Sequence, residues 1–217
     1  MIIRCKYAKL GEISFISHLD LLRIFIRALR RENINVNYSQ GFHPHPKMSF
    51  SPALSLGVES ICEYVDIDIA DEIGMEEFQN RLNHALPRGV EITHCEEVSK
   101  LGGMTVLSSH SQYEFHVEHL DEKMNQALEK VLGSEEIVIE KRNKKGKMLA
   151  INVRDRIVDA FVKDGKIYAT LLNSTNGAMK PAEFMQILSK EYGEEIVPER
   201  IIKINLYSFD GKEYRLV

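Results

Sequence analysis

The chain has 217 residues, 44% of them hydrophobic and 28% charged, which is enough apolar material for the core of one large or two small domains. Charged residues interrupt its apolar runs well before the ~20 residues that a membrane-spanning helix needs, and the first residues lack the order of a secretory signal. Its three cysteines include no C-x-x-C pair, which argues against a disulfide framework or a cysteine zinc site and favours a reducing cytoplasm.

The net charge of -4 conceals an uneven distribution along the chain. Residues 1–50 carry 8 Lys and Arg against 3 Asp and Glu, whereas residues 51–100 carry 3 against 11. Because like charges gathered in one segment create a local field, the first segment could bind an anion despite the negative total. The acidic second segment is typical of a solvated outer face.

The first half predicts the element order βαββαβ. A short strand at residues 4–8 precedes a helix that starts after Ser17, with Asp20 completing an approximate capping box, and runs to about Glu32. Strand pieces then flank a loop, and an alternating strand, a helix that stops before Pro87 and a final strand follow. The strand pieces are predicted at residues 34–38 and 48–50, the alternating strand at 64–70, the helix at 75–82 and the final strand at 90–98.

The second half repeats that order. A strand at residues 113–117 is followed by a helix between Asp121 and Gly133, and a second helix begins at Pro181. Further strands are predicted at residues 137–140, 148–153, 157–162, 166–172 and 201–207. The sequence therefore predicts an α+β protein of tandem ferredoxin-like (βαββαβ) domains with antiparallel sheets, at residues 1–100 and 111–217, joined by a Gly/Ser-rich linker.

The first helix offers the first candidate site. Its four arginines fall at i, i+4, i+7 and i+8, so they share one side while the apolar residues occupy the other; they are Arg23, Arg27, Arg30 and Arg31. One interpretation is the solvated face of an ordinary amphipathic helix. The other is anion binding, because the planar guanidinium fork suits phosphate and can stack on bases.

The second candidate site is the segment at residues 41–52, which reads GFHPHPKMSFSP. Its prolines, Pro44 and Pro46, exclude a helix and hold the chain extended, so that side chains two residues apart face the same way. The polar side chains that it would present are His43, His45, Lys47, Ser49 and Ser51. They could bind phosphate, supply a general acid or base, or hold a metal, unless the segment is only a rigid connection.

Several kinds of chemistry are disfavoured. A metal at His43 and His45 would need a third ligand, for which only His18 is near in sequence, and the surrounding arginines would repel a cation. No P-loop, G-x-G-x-x-G or G-x-S-x-G motif is present. We therefore expect neither a metal nor a cofactor.

The second half holds two weaker candidates. The turn at residues 141–147 contains Lys144 and Lys145 and could touch a phosphate backbone, although such turns commonly serve solubility alone. Lys180 leads into a helix N-terminus, where backbone N–H groups favour an anion. The alternative for that loop is a polar cap.

Five motifs together resemble a known family. The runs FISHLD at residues 15–20, RALR at 27–30, YSQGFHPHPKMSFSP at 38–52 and LGVES at 56–60, with a looser match at 178–183, resemble the radical SAM-linked family. This is a bacterial domain of unknown function, found alone or fused to radical SAM enzymes that carry a cobalamin-binding domain. Stand-alone members are often encoded near a ribosome-associated ribonuclease. The resemblance implies a separate catalytic partner, because the C-x-x-x-C-x-x-C cluster motif is absent from this chain.

A looser likeness points to an enzyme. Tandem ferredoxin-like domains with a basic first helix and a nearby histidine are similar to the CRISPR-repeat endoribonucleases, which cut RNA without metal. That likeness implies His18, His43 or His45 as acid or base. The chain lacks the long Gly-rich loop of those enzymes, which weakens this interpretation.

The function expected from these observations is a cytoplasmic RNA-binding accessory module that acts with a separate radical SAM or RNA-processing enzyme, on ribosomal or other structured RNA. Its predicted RNA contacts are Arg23, Arg27, Arg30, Arg31, Phe42, His43, His45, Lys47, Ser49, Lys144, Lys145 and Lys180. The alternatives are a metal-independent ribonuclease and a domain that docks a radical SAM partner through its acidic surface. The oligomeric state stays open.

Overall fold

The computed structural model describes residues 1–102, 108–142, 146–173, 177–210 and 213–217. The protein is a mixed α+β structure with a mostly antiparallel sheet and, among the described residues, four α-helices. It divides into two compact units, the first formed by Met1–Ser108 with Lys203–Val217 and the second by Ser109–Ile202. None of the described helices is long and apolar enough to cross a membrane.

The first unit follows the predicted element order. Its helices and strands in chain order are β1 (Ile2–Lys9), a 3-10 helix (Gly11–Phe15), α1 (His18–Arg31), β2 (Met48–Phe50), β3 (Glu59–Asp68), α2 (Met75–Ala85) and β4 (Val90–Val98). The strand order is β4-β1-β3, and the short β2 pairs with β3. The unit is completed by most of β10 (Arg200–Phe209), which lies beside β3, and by β11 (Tyr214–Leu216) on β10.

The C-terminal residues correct the predicted domain limits. We expected the second domain to run from residue 111 to residue 217, yet the last 15 residues, Lys203–Val217, pack with the first unit. The physical reason is burial: Leu206 joins Cys62 and Tyr64 of β3 in a small apolar cluster.

Helix α1 begins where the sequence predicts. The Ser17 hydroxyl oxygen accepts a hydrogen bond from the Asp20 backbone N–H at 3.1 Å, which satisfies one of the free donors of the first turn. Phe25 is fully buried and its ring meets Tyr7 of β1 and Phe50 of β2 edge-on, with centroids 5.2 and 5.6 Å away. These contacts commit one side of α1 to the core and leave the opposite side to solvent.

The second unit contains an additional hairpin. Its elements are β5 (His110–His116), α3 (Glu122–Gly133), β6 (Val138–Arg142), β7 (Met148–Asn152), a 3-10 helix (Arg154–Arg156), β8 (Ile157–Lys163), β9 (Lys166–Leu172) and α4 (Pro181–Tyr192). The main strand order is β5-β9-β8, whereas β6 and β7 pair only with each other. The two strand predictions between residues 137 and 153 are thus confirmed as strands, but they stand outside the main sheet.

The Glu114 carboxylate on β5 should make the stability of the fold depend on pH. Burial raises the pKa of its carboxyl group, but hydrogen bonds from Lys166, Tyr168 and His116 outweigh burial, so the pKa lies below the ordinary value of 4.5. A carboxylate with a lowered folded pKa stabilises the fold above its unfolded pKa, and that contribution is lost as the pH falls through the folded pKa. Glu114→Gln should therefore lower the free energy of unfolding by about 1–2 kcal/mol at neutral pH.

Urea unfolding at neutral and acidic pH measures this contribution. The difference between wild type and Glu114→Gln should shrink as the pH falls below 4.5. Glu118→Gln, an exposed neighbour, is the matched control and should change stability by no more than ~0.5 kcal/mol. A pH-independent loss at Glu114 would contradict the ionic explanation.

Candidate functional site

The exposed side of α1 is a basic surface. Arg23, Arg27, Arg30 and Arg31 are all exposed, opposite the buried apolar side of the helix. Arg23 donates to Asp20 at 2.9 Å. In the part of the chain that the structure describes, no carboxylate lies within ion-pair distance of the other three arginines. Three guanidinium groups are therefore available to an anion on one helix face.

Residues 37–47 form a hairpin attached to the last residue of β3, and we call it the HPHP hairpin. Its two arms are joined by hydrogen bonds from Ser39 N–H to the His45 carbonyl at 2.9 Å and from Lys47 N–H to the Asn37 carbonyl at 2.8 Å. Its base is fixed to Asp68, whose carbonyl accepts from Asn37 N–H and whose N–H donates to the Lys47 carbonyl. What the sequence suggested as a Pro-rich loop is thus an ordered hairpin.

The tip of the HPHP hairpin presents an aromatic ring to solvent. Phe42 has a relative exposure of 102%, so its ring touches nothing in the described structure. Gly41 beside it has φ +141°, a conformation that side-chain-bearing residues rarely adopt. An unpartnered aromatic ring on an anchored hairpin is an arrangement that suits stacking on a ligand.

The histidines are held by different partners. The Nδ1 atom of His45 lies 2.9 Å from Ser39 Oγ and 3.4 Å from the His43 carbonyl, so this ring stabilises the hairpin. The His18 ring packs edge-on against Phe50, with centroids 5.2 Å apart. Across the described ranges, no hydrogen bond or ring contact joins His18 to His43 or His45. The proposed acid–base set is therefore not linked into one constellation.

Lys47 and Ser49 are less available than the sequence suggested. Lys47 Nζ lies 3.4 Å from a carboxylate oxygen of Asp68, which offsets its charge. Ser49 on β2 is partly buried, and its hydroxyl oxygen lies close to Gly102. Both residues belong to the base of the hairpin and its connection to the sheet, not to its tip.

Of the second-unit candidates, Lys180 lies within the described residues and belongs to a capped helix start. Lys144 and Lys145 lie outside the described residues. Lys180 is exposed at the start of α4, but its backbone N–H donates to the Glu183 carboxylate at 3.1 Å. Lys141 pairs with the same carboxylate at 2.8 Å. The helix N-terminus is thus capped by an acidic residue of its own.

The first unit contains a buried charge cluster that the sequence did not predict. Lys9, Glu63 and Lys203 are 2%, 3% and 1% exposed. The Lys9 ammonium donates to the carbonyls of Ser14 and Ile16 at 3.2 and 3.1 Å, and Lys203 contacts Glu63. A lone lysine or glutamate in a strand gives no sequence signal of burial, because its partner lies far along the chain.

This buried charge cluster lies beneath the start of α1. Ser51 donates to the second carboxylate oxygen of Glu63 at 2.9 Å, and Glu63, Lys9 and His18 all line a cavity of about 10 Å³, the space of one water. Burial lowers the pKa of Lys9, and the nearby Glu63 partly restores it. The cluster is too enclosed for a ligand, so its role is to hold the first unit together.

Metal binding has no support from side-chain placement. Among the described residues, no group of three or more His, Cys, Asp or Glu side chains is arranged to hold a metal ion. The candidate site consists of the exposed arginines on α1 and the exposed aromatic tip of the HPHP hairpin.

These features define a mixed α+β protein with a basic helix and a projecting aromatic hairpin. The chain belongs to the family described as uncharacterized protein conserved in bacteria (DUF2344), whose model matches residues 3–196. That description names no radical SAM enzyme, so the radical SAM part of the resemblance stays a prediction. No curated protein matches the sequence.

One solved structure supports the fold class. A chain in the structure titled "Crystal Structure of a Cbf5-Nop10-Gar1 Complex" is similar with a TM-score of 0.51 and 9% identity. The alignment covers 94% of this chain and 48% of that chain. At this identity the likeness concerns the fold alone.

Proposed function

We propose that the protein is an RNA-binding module that contacts RNA through the arginine side of α1. The observation that carries this proposal is the exposure of Arg27, Arg30 and Arg31 on one helix face, none of them paired with a carboxylate in the described structure. Phosphate contacts by arginine supply most of the affinity in such complexes, because they release condensed counterions. The guanidinium fork also suits bidentate phosphate contacts.

The HPHP hairpin would supply the second contact of the same proposal. Unstacked bases of single-stranded RNA stack on exposed aromatic rings, and Phe42 is such a ring. His43, exposed next to it, can donate or accept a hydrogen bond at a base edge. We therefore propose single strands or loops, and not regular duplex, as the preferred RNA.

We also propose that each unit has a ferredoxin-like fold. In the first unit, support comes from the strand order β4-β1-β3, with β2 on the far side of β3 and one helix in each crossover. In the second, β5-β9-β8 with α3 and α4 gives a similar pattern once the β6–β7 hairpin is set aside as an insertion.

The proposed setting is an accessory role in the cytoplasm. The resemblance to radical SAM-linked proteins suggests a separate radical SAM enzyme or a ribosome-associated ribonuclease as the partner, and ribosomal RNA as a target. The given sequence contains no C-x-x-x-C-x-x-C motif, so we propose that partner as the source of any radical chemistry. The competing proposal is a domain that docks its partner through the acidic surface and binds no RNA. The binding experiment below distinguishes the two proposals.

The first test concerns the arginine side of α1. Arg27→Gln combined with Arg30→Gln should weaken binding of a labelled single-stranded RNA severalfold. The log–log dependence of affinity on salt should flatten by about 1.4, or roughly 0.7 for each phosphate that is no longer neutralised. Folding should be spared, because exposed substitutions change stability by about 0.5 kcal/mol or less. A salt titration by fluorescence anisotropy measures both quantities.

The matched control removes two positive charges from another helix. Lys123→Gln combined with Lys130→Gln on α3 changes net charge equally at exposed positions. Equal losses of affinity in both double variants would show only a general effect of net charge. If the salt dependence of RNA affinity stayed unchanged in the Arg27→Gln/Arg30→Gln variant, these two arginines would not be part of the RNA-binding surface. Cleavage of the RNA that disappears in a His18, His43 or His45 variant, with binding retained, would favour the ribonuclease alternative.

A further inference from the structure

Two cysteines of the first unit face each other across a strand pair. Cys5 on β1 lies directly opposite Cys95 on the neighbouring β4, and their sulfur atoms are 3.6 Å apart with one thiol donating to the other. Both thiols are free and buried in the same core. Ninety positions separate them along the chain, so the fold alone brings them together.

We propose that Cys5 and Cys95 are a reversible modification site that forms an intramolecular disulfide on exposure to a hydroperoxide. The proposal is independent of RNA binding. The number and spacing of the cysteines in the sequence do not indicate that these two thiols are neighbours.

The backbone geometry fits a disulfide. Directly opposite residues of antiparallel strands have Cα atoms about 4.5–5.5 Å apart, inside the range of about 4.4–6.8 Å found in disulfides. The sulfur atoms must approach from 3.6 Å to about 2.05 Å. Rotation of the two side chains toward each other is the movement that the disulfide requires.

The two thiols have different roles. The Cys95 S–H donates to the Cys5 sulfur, and this contact lowers the pKa of Cys95, because the Cys5 S–H can turn to donate to the thiolate once the Cys95 proton has left. The same contact, with burial, raises the pKa of Cys5 well above its ordinary value. Since the thiolate is the nucleophile and β4 is the edge strand, Cys95 is the residue that reacts first.

The reaction is balanced with hydrogen peroxide as the oxidant. The Cys95 thiolate attacks one peroxide oxygen, the O–O bond breaks, and the departing hydroxide takes a proton to become water. The Cys5 sulfur then attacks the Cys95 sulfenic acid, the S–S bond forms, and the S–O bond breaks with loss of a second water. Two thiols are oxidised by two electrons, and a dithiol reductant reverses the step.

Cys62 serves as an internal comparison. It is buried on β3, and burial raises the pKa of its thiol to about 11. Its sulfur neighbours are the Ser60 hydroxyl at 3.8 Å and the Lys203 carbonyl at 3.6 Å, with no second thiol. It should remain reduced while the pair reacts.

The experiment treats the folded full chain with one equivalent of hydrogen peroxide, alkylates the remaining thiols and maps peptides by mass spectrometry. We expect the thiol count to fall from three to one, with a Cys5–Cys95 linked peptide, a monomeric chain and full recovery with dithiothreitol. Closing so long a loop should also raise the Tm of the oxidised chain.

Three variants sharpen the result. Cys62→Ser should still form the disulfide, whereas Cys5→Ser should stop at a Cys95 sulfenic acid that dimedone traps. Cys95→Ser should leave Cys5 reduced. A native wild-type chain that keeps all three thiols, or that links Cys62 or a second chain instead, would overturn the proposal even if a variant failed to fold.

Discussion

Replacing Glu63 with glutamine should lower the free energy of unfolding by about 3–5 kcal/mol, the usual loss when one partner of a buried ion pair is removed. The carboxylate contacts the Lys203 ammonium, and both side chains are almost fully buried. Glutamine keeps the shape and can still accept from Ser51, so the loss isolates the charge. It leaves Lys203 charged and unneutralised in the core, which is the costly part.

Urea unfolding followed by circular dichroism measures this loss, with Glu77→Gln as the control. Glu77 pairs with Arg81 at 3.1 Å in the same unit but is exposed, so its substitution should cost no more than about 1 kcal/mol. Adding Lys203→Met to Glu63→Gln should restore much of the stability, because replacing both members of a buried pair is often neutral. Equal small losses at Glu63 and Glu77 would contradict a buried charge cluster.

The neighbouring lysine gives an independent readout of the same change. Glu63 raises the pKa of Lys9 against the lowering effect of burial. Its removal should therefore lower the Lys9 pKa further, which NMR titration of the side chain can detect.

The local elements of the fold were predictable because their signals are local. Ser17 caps α1 and Pro181 begins α4, as capping and proline rules predict, and the strand at residues 90–98 matches β4. The arginine side of α1 also follows directly, since 3.6-residue periodicity fixes which residues face solvent. These features depend on neighbours within one or two turns of chain.

The long-range features were not predictable for the opposite reason. The strand at residues 201–207 was assigned to the second domain because it follows the last helix, yet most of β10 packs beside β3. That placement buries Lys203 against Glu63, and nothing near either residue in the sequence indicates the other. The Cys5–Cys95 contact is of the same kind, since only strand register brings them together.

The structure of the HPHP segment was predictable only in part. The prolines predicted an extended segment, but not that Ser39 and His45 would pair across a hairpin anchored on Asp68. The anchoring matters for function, because Ser39 holds the His45 ring and the hairpin carries Phe42 at its exposed tip. Phe42 is therefore the residue of the HPHP hairpin that is best placed to contact a ligand.

Removing the Phe42 ring should weaken binding of a single-stranded RNA by about 5- to 150-fold, because base–aromatic stacking contributes about 1–3 kcal/mol per base. Stability should not change, since the fully exposed ring makes no contact in the folded chain. Anisotropy titrations of Phe42→Ala and wild type at one salt concentration measure the loss. The salt slope should stay constant, in contrast to the α1 arginine variants, because stacking releases no counterions.

Two further substitutions at Phe42 separate stacking from simple apolar contact. Phe42→Tyr keeps the ring and should bind nearly as wild type does, whereas Phe42→Leu keeps apolar bulk without a π-face and should bind like Phe42→Ala. If leucine restored binding, the tip would be an apolar contact and a protein partner would be the better candidate. If all three variants bound RNA as wild type does, the HPHP hairpin would lie outside the RNA surface, and α1 alone would have to account for any affinity.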